Sequence, residues 1–589
     1  MSREILLILV MLAVLLGLGG AVGAVVFVAA GPADASGLAD ATPTLVDREI
    51  RGLVWGGTGP VAGAVVRVQG TDCSAKTGAD GRFRLVVDEW QDGIGEIADS
   101  GGTVSLTAFA PGYYIAGPIH ASPGQRVILF ILHQHPTKDN PDYEWLSAVG
   151  GEDGSAAGAC QDCHSDPAAA RSLLPFDEWV RDAHGTSAVN RRFLSMYQGT
   201  DLTGEYRSPD TRYAYHRDYG KVPIRPAPDE PYYGPGFKLD FPEQAGDCAA
   251  CHLPAAAANT PYETDPSQVI GVGREGVACD VCHKIWDVML DPTTGLPRPN
   301  MPGVLSIEFR RPSGKHQLFI GPYDDVAPGE DTYSALQNES EICAPCHFGQ
   351  FWGVQVYNSF GEWLDSPYSD PDTGQTCQDC HMPRRGATYI ARPDKGGLER
   401  DPETIYSHLM PGAADVELLQ NTAELELQVE RSGDELFVEV WVTNYNAGHH
   451  IPTDHPARNI LLVVTAVDSR LRPLEYLGDQ VVPEWGGVGV GHDDYAGRPG
   501  KGYAKVLEEL WTEVSPTAAY WRPTRVKEDT RIPALFTDVS SYRFRVPQDT
   551  SLVMVKAQLI FRRAFKSLAE EKVWDTPDIL MELKWALVR

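Results

Sequence analysis

Cys279-Asp280-Val281-Cys282-His283 is one of five copies of a single pattern, Cys-x-x-Cys-His, and the rest of the chain is read outward from it. The other copies are Cys160-Gln161-Asp162-Cys163-His164, Cys248-Ala249-Ala250-Cys251-His252, Cys343-Ala344-Pro345-Cys346-His347 and Cys377-Gln378-Asp379-Cys380-His381. Two thiols at this spacing followed directly by a histidine form the attachment signature of covalent c-type haem. The thiols capture the macrocycle and the adjacent imidazole becomes the proximal iron ligand. Ten of the 11 cysteines lie in these motifs, so a zinc or redox use of CxxC has little left to explain. The expected cofactor is five haem c groups, held by Cys160, Cys163, His164, Cys248, Cys251, His252, Cys279, Cys282, His283, Cys343, Cys346, His347, Cys377, Cys380 and His381. The remaining Cys73 reads as a spare loop thiol.

The chain has 589 residues, with 80 acidic and 50 basic side chains and a formal charge of -30. That balance excludes a nucleic-acid surface. It suits either steering of a basic redox partner or the solubility of an exported protein. Gly (58) and Pro (44) are frequent, which points to many turns.

Residues 5–30 form an uncharged apolar run. It is longer than the ~15 residues of a signal-peptide core and passes the ~20 of a membrane span. A retained single-pass transmembrane helix is expected, with a cleaved signal and a secreted protein as the alternative. Arg3 precedes the run and Asp34, Asp40 and Asp47 follow it, so the body should lie on the extracytoplasmic side. The expected organisation is anchor or signal at 1–30, linker at 31–47, a small β-sandwich at 48–135, a pentahaem domain at 136–412 and a C-terminal β-sandwich at 413–589. The fold class expected is multidomain α+β, with the haem domain loop-rich and mostly α.

In 48–135, short apolar runs alternate with turn signals. Pro60-Val61-Ala62-Gly63-Ala64-Val65-Val66, Thr77-Gly78-Ala79-Asp80-Gly81-Arg82-Phe83 and Ala108-Phe109-Ala110-Pro111-Gly112-Tyr113 resemble the carboxypeptidase regulatory-like (transthyretin-like) domain, which implies a spacer and no chemistry. In the C-terminal part, Ala423, Leu425, Leu427 and Val429 alternate with Glu424, Glu426, Gln428 and Glu430, the period of a half-buried strand. Residues 484–530 read as a long excursion packed on the haems.

The block from about 155 to 460 resembles multihaem cytochromes of the cytochrome c554 type, a group related to pentahaem nitrite reductase and hydroxylamine oxidoreductase. Glu178-Trp179 with Ala183-His184, Gly276 to Lys284, Cys377 to Pro383 with Ser407-His408, and Asn446 to Thr453 carry that resemblance. The CxxCK motif of pentahaem nitrite reductases is absent, and the tyrosine cross-link of hydroxylamine oxidoreductases has no evident counterpart. The resemblance therefore implies electron transfer ahead of catalysis, on the extracytoplasmic side, with redox proteins as partners and a larger respiratory assembly as a further option.

Iron that only shuttles electrons takes a second axial imidazole. Beyond the five proximal histidines, the candidates are His184, His316, His408 and the pair His449 and His450. His120, His133, His135, His216 and His492 read as ordinary histidines, and Met382 and Met410 as packing residues; four strong candidates are one short of five, so the fifth iron is either ligated by a weaker candidate such as His455 or open. The alternative function is a haem oxidoreductase acting on a small nitrogen or sulfur compound at one open iron.

Overall fold

The computed structural model describes residues 49–87, 103–122, 124–150, 158–169, 171–314 and 316–589. The apolar run at 5–30 and the linker at 31–47 lie outside the described residues.

The N-terminal strands form two facing sheets. Glu49–Gly56 pairs with Gly59–Pro60 and Arg82–Val86, and Ile128–Ile131 runs parallel to it. The second sheet orders Ser74–Lys76, Val65–Val68, Val104–Phe109 and Ala116–Ala121. Alternate residues point inward, as in Arg82–Val86, where Phe83 and Leu85 are buried and Arg82 and Arg84 exposed. Ile50, Val54, Val66, Leu106 and Phe130 complete the core. Polar contacts tie this module to the middle of the chain. Arg67 donates to both carboxylate oxygens of Asp324 at 2.7 and 3.1 Å. Thr332 Oγ1 donates to the Tyr113 carbonyl.

The middle of the chain corrects the expected fold class. It is not mostly α: the structure as a whole is 18% helical and 30% strand. The longest helix among the described residues is Arg191–Gln198, of eight residues. No helix among the described residues is long and apolar enough to cross a membrane; the run expected to form the transmembrane helix lies outside them. Two-stranded ribbons fill the space instead: Arg212–His216 with Gly220–Ile224, Ile285–Val288 with Ile307–Phe309, Phe319–Gly321 with Asp331–Tyr333, and Gly349–Phe351 with Val354–Tyr357. The cause is local. Helices need runs free of Pro and Gly, and here those residues break up most of the sequence. Gly276 has φ +73, and a Cβ there would lie 2.4 Å from the His184 carbonyl. Only glycine lets that backbone approach.

The C-terminal part is again two sheets. One orders Ala423–Ser432, Glu435–Asn444, Thr537–Arg545 and Glu475–Tyr476; the other orders Gly500–Tyr503, Asn459–Asp468, Val553–Arg562 and Ile579–Val588. Leu425, Leu436, Val438, Val440, Leu462, Val464, Phe544 and Val555 form the core between them. Each such side chain contributes about 1.5–3 kcal/mol by leaving water.

Buried charges join this part to the middle. Lys572 is 0% exposed, and its Nζ donates to the carbonyls of Pro235 (2.6 Å), Ser195 (2.8 Å) and Thr200 (3.3 Å). Burial pushes its ammonium down to about 7. The folded pKa is thus below the unfolded one, near 10.4. Between those values the unfolded chain binds more protons, so stability rises with pH by up to roughly 1.4 kcal/mol per unit. Urea melts between pH 7 and 10 should show this rise, and Lys572→Met should flatten it.

Candidate functional site

Each Cys-x-x-Cys-His motif forms one short helical turn: Cys160–His164, Ala249–His252, Cys279–Cys282, Ala344–His347 and Cys377–His381. A turn puts residues three apart on one face, so both thiols of a motif point the same way. The fifth turn is fixed by a capping box, in which Thr376 and Asp379 each satisfy the other's backbone N–H.

Three of the motif imidazoles are oriented by backbone carbonyls, while the buried Nδ1 of His252 has no hydrogen-bond partner. His164 Nδ1–H donates to the Ile390 carbonyl at 2.6 Å, His283 to Ile320 at 2.9 Å and His381 to Pro411 at 2.7 Å. That bond fixes the tautomer and leaves the Nε2 lone pair free, as metal-ligating histidines require. Burial pushes His252 and His381 down to about 4, so both rings are neutral at pH 7.

Two of the expected distal histidines face proximal ones across a gap. The ring centres of His184 and His347 are 6.2 Å apart, and those of His381 and His449 are 6.3 Å apart. An imidazole nitrogen lies about 2 Å from its metal and the ring centre roughly 1 Å further back, so two axial imidazoles on one ion have centres about 6 Å apart. The residues fit the implied haem at these two positions. His184 Nδ1 is held at 2.7 Å by Asp182 Oδ1, which also accepts the His184 backbone N–H. His449 Nδ1 donates to the His450 carbonyl at 3.0 Å, and Asn444 Nδ2 donates to the His449 carbonyl at 2.8 Å.

His408 is placed by Glu178, on the short helix Pro175–Trp179. Glu178 Oε2 accepts the His408 backbone N–H at 2.8 Å and the Ser407 hydroxyl at 2.9 Å. The His408 ring lies in electrostatic reach of His283 and His164, and burial pushes it down to about 4. The segment from Glu178 to His184 thus supplies one distal candidate and orients another.

His316 and His450 are placed otherwise. His316 is exposed, with its ring edge-on to Tyr114 at 5.1 Å. His450 sits 3.8 Å from the Glu362 carboxylate, which also pairs with Arg531. That network holds the loop that presents His449. Sequence reading passed over His135. It is 4% exposed, its Nδ1 donates to the Pro136 carbonyl at 2.9 Å, and its buried Nε2 has no hydrogen-bond partner. The signal available in the sequence was its place just after the sandwich, where the chain enters the motif-bearing part. His455, the weaker candidate for a fifth iron, has its Nδ1 accepting the Ala457 backbone N–H at 3.2 Å.

The thiols order the motifs in space. Cys160 lies beside Cys279, Cys251 beside Cys346, and Cys343 beside Cys377. Cys282 lies in electrostatic reach of Cys346. The motifs therefore run first, third, fourth and fifth, with the second branching from the fourth. Short tethers in sequence suggest pairing of the second motif with the third and of the fourth with the fifth. The fourth and fifth do meet; Cys251 of the second meets the fourth.

Behind the third motif, Lys284 Nζ pairs with Asp280 at 2.6 Å, both fully buried, and Asp280 Oδ2 accepts from Tyr143 OH and the Leu146 N–H. This network seats the turn whose thiols face the first and fourth motifs.

No family model matches the chain, and no curated protein matches it. Among solved structures, the chain is similar to a penta-heme cytochrome c552 from Thermochromatium tepidum, at 18% identity and a TM-score of 0.49, over 73% of this chain and 97% of that one. A second, slighter likeness is to the Northeast Structural Genomics Consortium target SoR45, at 9% identity and a TM-score of 0.12, over 28% of this chain and 85% of that one.

Proposed function

We propose that the chain is an extracytoplasmic multihaem c-type cytochrome that moves electrons along five covalently held haems, most of them with two histidine ligands. The observation that carries this reading is the pairing of His184 with His347 and His381 with His449 at axial spacing, in a chain with five Cys-x-x-Cys-His motifs. Haem iron supplies a one-electron couple. The protein's part would be to present one imidazole on each side of the iron at these sites, with burial lowering the pKa of His347 and His381, and to set neighbouring motifs side by side. The partners are electron donor and acceptor proteins, and the chain's acidity favours basic docking faces on them. Assembly into a larger respiratory complex is compatible with the two flanking β modules.

Haem count tests this directly. Intact mass of the mature protein is expected to show five haem additions that survive acid–acetone extraction. Three or fewer additions would end the pentahaem reading.

A further inference from the structure

The sheet that contains Ala423–Ser432, Glu435–Asn444 and Thr537–Arg545 leaves its outer face open to solvent among the described residues. Strand register sets the rows of that face. Glu424 lies opposite Thr443, and Thr443 opposite Thr537; Glu426 lies opposite Trp441, and Trp441 opposite Val539. Opposed residues of neighbouring strands share a face. The intervening Leu425, Val440 and Val442 fill the core, so these rows turn outward. Phe437 is 42% exposed and Val539 52%. Where the strands end, Tyr445, Leu535 and Phe536 extend the patch, and all three are exposed. Contiguous apolar side chains left in water mark an interaction site.

The rim of the patch is acidic. Glu424, Glu426, Glu430 and Glu439 are exposed on the same face, and none has an ion-pair partner among the described residues. Arg543 and Arg545 stand at the far end, beside Glu435, Asp434 and Glu475. The near end adjoins the loop that presents His449. Asn444, fully buried at the end of its strand, joins the two. Its backbone N–H donates to the Phe536 carbonyl at 3.0 Å, and its carbonyl accepts the Leu535 N–H at 2.8 Å. Its Nδ2 donates to the His449 carbonyl at 2.8 Å. Tyr368 OH donates to the Tyr445 carbonyl at 3.2 Å. One residue thus bonds both to the patch and to the histidine that faces His381, 6.3 Å away between ring centres. The fifth motif is also an end of the row, where an electron has to enter or leave.

We propose that this face is the docking surface of a basic redox protein. Its lysines or arginines meet the four glutamates, and its own apolar centre covers Trp441, Val539 and Phe536. One electron passes between the iron of the fifth motif and the partner's redox centre; one centre loses it, the other gains it, and no bond is made or broken. The acidic rim speeds encounter with a basic partner, and the apolar centre holds the partner once water is excluded. This deepens the electron-transfer reading and rests on the fifth motif being a haem site.

The probe is cytochrome c, a small basic one-electron acceptor, added to the full-length holoprotein. Sedimentation velocity reads binding, and stopped-flow absorbance reads electron transfer from the reduced protein. Glu424→Lys with Glu426→Lys should weaken binding and slow transfer by on the order of tenfold at low salt, a difference that fades as salt rises. Val539→Ser with Phe536→Ser should weaken binding at low and high salt alike. All four positions are exposed, so both variants keep the fold. The control is Glu205→Lys with Glu263→Lys, the same charge change at exposed positions outside this sheet. It should alter either reading by no more than about twofold. An equal loss in the control means that net charge guides the partner, and overturns the proposal. A wild-type protein that does not bind the probe overturns it, as does binding unchanged in both face variants. A dimer that becomes a monomer in Val539→Ser with Phe536→Ser gives the face to a second copy and overturns the basic partner. Peptide mapping that finds no haem on the fifth motif overturns the haem reading underneath, and the binding measurements still judge the face.

Discussion

Replacing Cys343 and Cys346 together with alanine is expected to remove one haem and to split the remaining four into groups that exchange electrons slowly. The fourth motif is the junction of the row. Cys343 lies beside Cys377, Cys346 beside Cys251, and Cys282 of the third motif close to Cys346. Without it, the first and third motifs remain together through Cys160 and Cys279. The second and fifth lose the group that joined them to the others. Stopped-flow reduction followed at the haem absorption bands should change from one fast phase to well-separated phases, with the slow one retarded by orders of magnitude. The matched control is Cys377→Ala with Cys380→Ala, which also removes a haem and its packing but at the end of the row. That variant should leave four haems in rapid exchange. Equal kinetics in the two variants would mean that the fourth motif is not the junction.

The chemistry of this chain was more legible in its sequence than its architecture. Cys-x-x-Cys-His encodes its own geometry, because one helical turn sets both thiols and the histidine. Ala423–Ser432 was legible for a similar reason: a period of two needs no distant partner to be seen, and Ala423 and Leu425 are buried between exposed Glu424 and Glu426. His184 was picked out by the Glu178-Trp179 and Ala183-His184 segment, and His449, together with His450, by the Asn446–Thr453 loop. The expectation of a mostly α middle failed because the helical segments there stay one or two turns long, and two-stranded ribbons fill the space between them. His316 and His450 looked as eligible as His449. Only the fold shows His316 exposed against Tyr114 and His450 drawn to Glu362.

Arg522→Leu is expected to cost the most stability of any single side-chain replacement considered. Arg522 lies in the excursion at 484–530 and is buried, as are the two carboxylates it joins. Its guanidinium donates to Asp240 at 2.7 and 3.0 Å and to Glu509 at 3.0 Å. Asp240 ends the helix Phe237–Asp240 ahead of the second motif and also accepts from Trp521 Nε1 and the Thr211 hydroxyl. Glu509 ends the strand Lys505–Glu509. The arginine thus pins the C-terminal part to the segment that leads into the second motif, one residue from Trp521 and two from Tyr520. Its own positive charge is held more firmly than usual by the two carboxylates. Removing it strands two buried anions, and breaking a buried pair costs about 3–5 kcal/mol. That is a large share of the ~5–15 kcal/mol that holds a typical domain folded. Replacing all three charges together, as Arg522→Leu with Asp240→Asn and Glu509→Gln, should recover much of the loss, because no ion is then left without a partner. Chemical denaturation of the holoprotein reads both variants. If the triple variant is no more stable than Arg522→Leu alone, the cost lies in lost packing and not in stranded charge, and the electrostatic account of this joint fails.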